Sequence, residues 1–297
     1  MLDGIHRLRQ EKGAVILAHN YQIPDVQDLA DFVGDSLELS QKAAGLDSDV
    51  IVFCGVHFMA ETAAILAPEK TVLIPEIQAG CPMADMITAS ELRQWKQEYP
   101  GRKVVCYVNT SAEVKAECDI CCTSANAVKV VQSLGEDEIL FVPDKNLAAY
   151  VARNTKTRII PWDGYCYVHH NFSARDVRDM KTLYPEAEVW VHPECPPEVI
   201  DLADKVFSTG KMVKEAKVTL KSEILLGTEE GIIHRLNKIN PRSCFYPLRS
   251  HAVCSNMKKI TVPKVLKSLQ DMIYKIEVSP EISDRARGAI EKMVKIL

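Results

Sequence analysis

The chain has no long apolar run, no surplus of charge of one sign and no linker-like stretch rich in Gly, Ser or Pro. The apolar stretch 14–18 near the N-terminus is five residues long, too short for a signal-peptide core or a bilayer span. A cytoplasmic location is therefore expected. Against 40 acidic side chains stand 36 basic ones, a net charge of −4, which leaves no electrostatic footprint for nucleic acid or a membrane surface. With 47% hydrophobic and 26% charged residues, the composition excludes disorder, a collagen-like repeat and a disulfide scaffold. A length of 297 residues allows one to three domains with a sizeable core.

What the chain does have is cysteine, ten in all, at 54, 81, 106, 118, 121, 122, 166, 195, 244 and 254. Without an export signal these are free thiols, small core residues or metal ligands rather than disulfide partners.

Short apolar runs at 15–17, 50–53, 72–74, 104–108, 139–142, 158–160, 189–191, 224–226 and 244–246 are rich in β-branched residues and each ends in a turn signal. They suit parallel strands covered on both faces. Amphipathic helical stretches lie between them, at 60–66, 127–134, 147–153, 174–183 and 232–239. The pattern is α/β throughout.

The strands also repeat. Adding 85 carries Val104-Val105 onto Val189-Trp190, Asp119 onto Asp204, Glu138-Ile139-Leu140 onto Glu223-Ile224-Leu225 and Ile160 onto Phe245. Stepping back by 87 to 89 places Val15-Ile16 under Val104-Val105 and Val50 under Ile139, and aligns Asn20 with Asn109. Three similar α/β/α units with parallel sheets are expected around a pseudo-three-fold axis, at residues 1–83, 84–170 and 171–261. A C-terminal helix over 262–297 is expected to pack back on the first unit.

In each unit a proline turn after the last strand is followed by a cysteine: Pro75 and Cys81, Pro161 and Cys166, Pro247 and Cys254. The cysteines are separated by 85 and 88 residues, so one thiol from each unit converges near the axis. Three clustered thiolates repel unless a metal holds them, and soft thiolate ligation leaves zinc, copper(I) and an iron–sulfur cluster open. With three ligands, a four-iron cluster would keep one iron open as a Lewis acid. Of the other cysteines, Cys54, Cys106 and Cys244 read as core residues. Cys118, Cys121 and Cys122 resemble a metal hook, but the repeat sets Cys121 and Cys122 over Val206 and Phe207, strand positions. Cys195 follows His192-Pro193-Glu194 and is expected to line the site.

The carboxyl ends of strands, where open α/β sheets bind ligands, carry His19, Asn20 and Tyr21, then Tyr107 and Asn109, then His192 and Glu194. Ser36, Ser124 and Ser208-Thr209 each open a helical stretch. Alone each hydroxyl is an ordinary N-cap; in register, they and the helix N-termini form a pocket for a phosphate or carboxylate. His169 also falls near the proposed centre, whereas His170 is expected to point away.

Jointly, the segments Ala18-His19-Asn20-Tyr21-Gln22, Gly34-Asp35-Ser36, Cys81-Pro82-Met83-Ala84, Tyr107-Val108-Asn109, Thr123-Ser124-Ala125-Asn126, Cys166-Tyr167-Val168-His169, His192-Pro193-Glu194-Cys195, Ser208-Thr209-Gly210 and Cys254-Ser255-Asn256-Met257-Lys258 resemble the quinolinate synthase family, in its order and along nearly the whole chain. The resemblance implies three α/β units holding a [4Fe-4S] cluster on Cys81, Cys166 and Cys254. It implies condensation of iminoaspartate (iminosuccinate) with dihydroxyacetone phosphate to quinolinate, with loss of phosphate and water, in NAD biosynthesis. An aspartate-oxidising enzyme would supply the imine. His19, Ser36, Tyr107, Asn109, Ser124, His192, Glu194, Ser208 and Thr209 would contact substrate, and Tyr21, His19, Tyr107, His192 and Glu194 would serve catalysis. Tyr165 and His170 depart from the family's usual residues, and the C-terminal cysteine pair of its longer members is absent. A three-thiolate zinc enzyme and a non-catalytic iron–sulfur sensor are the alternatives.

Overall fold

The apolar runs become strands, and each strand sequence folds into the same four-stranded sheet. A computed structural model, which describes residues 1–296, contains β1 Ala14–His19, β2 Phe32–Gly34, β3 Val50–Cys54 and β4 Thr71–Leu73 in the first sheet. The second holds β5 Lys103–Tyr107, β6 Ile120–Cys122, β7 Glu138–Val142 and β8 Arg158–Pro161. The third holds β9 Glu188–Val191, β10 Lys205–Val206, β11 Glu223–Gly227 and β12 Cys244–Pro247. The strand orders are β2-β1-β3-β4, β6-β5-β7-β8 and β10-β9-β11-β12, with every ladder parallel. Helices flank each sheet in a three-layer α/β/α arrangement, and the central strands are buried, as parallel strands covered on both faces must be. Strands β2, β6 and β10, of two or three residues each, lie outside the nine apolar runs.

One aspartate per unit fixes the register of the repeat. Asp31 Oδ2 accepts the N–H of Ile16, Asp119 Oδ2 that of Val104 and Asp204 Oδ2 that of Val189, each at 2.8 Å. The same three aspartates donate their own N–H groups back to the carbonyls of those residues, at 2.9, 3.1 and 2.9 Å. The short neighbouring strand leaves these strand N–H groups without a ladder partner, and the carboxylate supplies one. The three equivalences step by 88 and then 85 residues. Asn20 therefore corresponds to Val108 rather than Asn109: Asn20 N–H bonds Gly34 O at 3.0 Å as Val108 N–H bonds Cys122 O at 2.9 Å.

The helices that lead into β5 and β9 begin on capping boxes, Thr88 with Glu91 and Ser173 with Asp176, one repeat apart. The C-terminal stretch is two helices rather than one, Val262–Asp271 and Pro280–Val294. The first ends where Met272 and then Tyr274 turn left-handed, with φ of 50° and 59°. The chain between the helices bridges β4, through Ile74 N–H to Tyr274 O at 3.1 Å and Ile276 N–H to Val72 O at 2.9 Å. The second helix lies over the helix His57–Leu66 of the first sheet and also over β6, and Asn126 Nδ2 donates to its Met293 carbonyl at 3.1 Å. It thus clasps two sheets. Cys244, expected in the core, is exposed at the outer strand β12, while Cys54 and Cys106 are buried. No described helix is long and apolar enough to cross a membrane.

Candidate active site

The aspartate register sorts the candidate residues into rows. His19, Tyr107 and His192 occupy one equivalent place at the carboxyl end of the first strand of each sheet, and Tyr21, Asn109 and Glu194 occupy the place two residues on. Ser36, Ser124 and Thr209 form a third row. Ser208 belongs instead with Asp35 and Thr123: its Oγ accepts Lys211 N–H at 3.3 Å as the cap of helix Thr209–Ala216. Asp35 likewise caps Ser36–Ala44. Of the three hydroxyl residues, only Ser36 and Thr209 lie in a helix's first turn; Ser124 precedes the helix Ala127–Leu134 by three residues.

The rows meet in one cavity of about 80 Å³, room for several waters. The first sheet and its loops contribute His19, Tyr21, Ser36 and Cys81; the second Asn109, Ser124, Cys166 and His169; the third His192, Glu194, Thr209 and Cys254. Tyr107 is buried and is not among the residues lining the cavity, and burial, then the charge of Glu194, holds its phenol protonated. Ser208 faces the outer groove between units. Cys195, expected at the cavity, is buried and donates to Gly227 O. Cys121 and Cys122 sit in β6, in the core.

Glu194 is the electrostatic centre. Its Oε2 lies 2.5 Å from His169 Nδ1 and 3.3 Å from His192 Nδ1. Burial works to raise its pKa, but the two imidazoles outweigh burial and hold the carboxyl well below its ordinary range. Its other oxygen, Oε1, and Asn109 Oδ1 are buried with no hydrogen-bond partner among the described residues, two acceptors left for a bound molecule.

Burial disfavours the charged form at two of the imidazoles, His19 and His192. Burial, then the charge of His192, pushes His19 down to about 3; burial, then His169, lowers His192. His19 Nδ1 accepts Tyr21 N–H at 3.2 Å, which leaves the proton of the neutral ring on Nε2, whereas His192 Nδ1 faces both Glu194 N–H at 3.4 Å and Glu194 Oε2 at 3.3 Å. His192 Nε2 is hydrogen-bonded to Ser124 Oγ at 3.1 Å. Tyr21 is held protonated, first by burial and then by the charge of Glu194. Its hydroxyl lies 2.6 Å from Thr228 Oγ1 and 3.3 Å from His169 Nε2, and Thr228 lies 3.0 Å from the same nitrogen. Tyr21, Thr228, His169 and Glu194 thus form a continuous polar chain across three sheets. Asn20 Nδ2 donates to Thr209 Oγ1 at 3.1 Å, and Arg235 fixes the Asn20 amide by donating to its Oδ1. With an acceptor position of Thr209 filled, its O–H is available to donate into the cavity.

The sequence placed His169 near the centre without a role and gave no sign of Thr228, which lies just past the end of β11. A search of every carboxyl strand end, rather than of the first strand alone, would have found it.

The three cysteines on the cavity are free thiols. Burial pushes Cys81 up to about 12, and burial followed by neighbouring negative charge raises Cys166; Cys254 is raised by burial as well. Cys254 raises Cys81, and both raise Cys166, so a cation among the three favours their ionising together. That donor set fits a thiolate-bound metal centre.

The family described as NadA, quinolinate synthetase A protein, matches residues 3–295. A quinolinate synthase of Dehalococcoides mccartyi is 58% identical over 98% of this chain and 97% of its own. One from Methanoregula boonei is 55% identical over 99% and 97%, and one from Alkaliphilus metalliredigens 50% identical over 100% and 98%. With nearly the full length matched at these identities, and a cavity where three cysteines from three repeated units meet, the chain belongs to the quinolinate synthase family.

Proposed function

We propose that this enzyme condenses iminoaspartate (iminosuccinate) with dihydroxyacetone phosphate to quinolinate, with loss of phosphate and water, in NAD biosynthesis, at a [4Fe-4S] cluster held by Cys81, Cys166 and Cys254. The observation that carries the reading is the convergence of one cysteine from each unit on a cavity that also holds Glu194 and the Ser36, Ser124 and Thr209 row. Spacing favours a cluster over one ion. The donor atoms that approach within 4.8 Å of one another are those of Cys166, His169 and Glu194; Cys81 and Cys254 stand outside that group. A tetrahedral zinc with bonds of about 2.3 Å needs its sulfurs roughly 3.8 Å apart, whereas a cube of iron and sulfide spans a wider triangle of thiolates. When bound, the cluster supplies Lewis acidity through the iron that no cysteine holds.

The chain's own residues do the rest. Asn109 and Glu194 present unpartnered oxygens to the nitrogen-bearing acid, and the neutral His19 and His192 orient its carboxylates by hydrogen bonds. Ser36, Ser124 and Thr209, with the N-termini of helices Ser36–Ala44 and Thr209–Ala216, seat the phosphate and stabilise it as it leaves. Glu194, ionised, takes the proton released beside the imine. Tyr21, protonated, delivers a proton to a leaving oxygen and regains one through Thr228 and His169 from Glu194. Tyr107, kept protonated by burial and then by the charge of Glu194, adds no charge to the site.

The Cys166, His169 and Glu194 group is the one observation that favours the rival, a single zinc ion. Anaerobic protein supplied with dihydroxyacetone phosphate and freshly generated iminoaspartate, from an aspartate-oxidising enzyme, decides between them. Quinolinate formation that stops with Cys81→Ala or Cys254→Ala is expected. Turnover that survives both substitutions, or that needs zinc, contradicts the reading.

A further inference from the structure

We propose that Asp144 and Glu229 are positioning residues for the metal centre, two buried carboxylates that hold the backbone amides of Cys166 and Cys254 in ligating position; the inference rests on the cluster reading above. Asp144 Oδ2 accepts Cys166 N–H at 3.0 Å while its Oδ1 accepts Leu147 N–H at 2.6 Å. Glu229 Oε1 accepts Cys254 N–H at 3.1 Å and faces Lys258 Nζ at 2.8 Å, while Oε2 accepts Gly231 N–H at 2.8 Å. Both side chains are fully buried.

The repeat shows that the fold alone does not require them. Asp144 and Glu229 are one repeat apart, and the residue that follows each makes the same backbone bond to the ligand loop: Lys145 N–H to Gly164 O at 2.8 Å and Glu230 N–H to Ala252 O at 3.0 Å. The first unit makes that bond as well, from His57 N–H to Ala79 O at 2.8 Å. There, however, the preceding residue is Val56, buried and apolar. The loop closes in all three units, yet only two carry a carboxylate on the ligand's amide. A buried carboxylate is costly to keep where a valine serves the loop equally well. What the carboxylate adds is a second fixed point, at the ligand itself, and such outer partners govern how firmly a metal is held. Glu229 extends the hold across units, because Lys258 also donates to Tyr21 O at 2.5 Å.

The test is the rate at which an excess of a ferrous chelator strips iron from anaerobically reconstituted protein. Asp144→Ala and Glu229→Ala are expected to release iron about 10- to 100-fold faster than the parent. Glu61→Ala is the control: Glu61 is a buried carboxylate whose Oε2 accepts Ala112 N–H at 3.1 Å and whose Oε1 faces His57 Nδ1 at 3.6 Å, so it holds no cysteine amide, and its release rate is expected to match the parent. Where an alanine variant does not fold, as judged by circular dichroism, Asp144→Asn replaces it. An amide oxygen can serve only one of the two N–H groups that the carboxylate serves, so about threefold to tenfold faster release is expected. Parent-like release from the folded Asp144 and Glu229 variants, or equal acceleration by Glu61→Ala, overturns the proposal. A parent protein that takes up no iron overturns the cluster reading itself, a failure distinct from parent-like release by loaded variants.

Discussion

His169 Nδ1 stands 2.5 Å from Glu194 Oε2 across the boundary between the second and third sheets, and Tyr21 from the first closes on the same imidazole at 3.3 Å. Each unit supplies one member of a hydrogen-bonded group that none could form alone. Glu194→Gln is expected to lower kcat by about 10²- to 10⁴-fold. His169→Gln is expected to lower it comparably, and the double variant little further, because residues that act as a unit are not additive. Steady-state quinolinate formation checks this. Additive losses would place the two residues in separate steps.

Neighbours Ser208 and Thr209 should part company. Ser208 caps its helix, so Ser208→Ala is expected to cost about 0.5–2 kcal/mol of stability and to leave KM for dihydroxyacetone phosphate unchanged. Thr209→Val removes a cavity donor and is expected to raise that KM about tenfold or more, with little change in the unfolding midpoint. Kinetics and urea unfolding of the two variants settle the assignment, and a KM effect confined to Ser208→Ala would reverse it.

His19 gives stability a pH dependence of defined sign. Its folded-state pKa is pushed down to about 3, from 6.5, so below pH 6.5 the unfolded chain binds a proton there that the folded chain refuses. Stability is fully present above that value and declines as the pH falls toward 3, by about 1.4 kcal/mol per unit. Between pH 7 and pH 5, His19→Gln is therefore expected to lose about 2 kcal/mol less than the parent in urea unfolding. Identical losses would show that His19 is not buried neutral.

Much of this was legible in residue types and spacing. Nine of the strands, the three-unit repeat and the three cysteines all follow from apolar runs and proline turns, which are local and repeated. The offset of the first unit was blurred because Asp31, the partner of Asp119 and Asp204, goes unnoticed unless strand N–H groups are asked for their acceptors. That blur misaligned Asn20 with Asn109. Ser208 and Thr209 are adjacent, and only the cap geometry separates them. Thr228, Asp144 and Glu229 act through hydrogen bonds between segments distant in sequence, which no periodicity records. Asp119→Ala, which removes one register bond at the edge of the core, is expected to cost about 1–3 kcal/mol without changing KM. Parent-like stability on urea unfolding would show that the register does not depend on it.

The central claim is that one cysteine from each unit holds a single iron–sulfur cluster, and iron and acid-labile sulfide analysis of anaerobically isolated protein tests it most directly. About four irons and four sulfides per chain are expected in the parent, falling steeply in each of Cys81→Ala, Cys166→Ala and Cys254→Ala and remaining at the parent level in Cys195→Ala. One zinc per chain, or full iron content after loss of Cys81 or Cys254, would contradict the account.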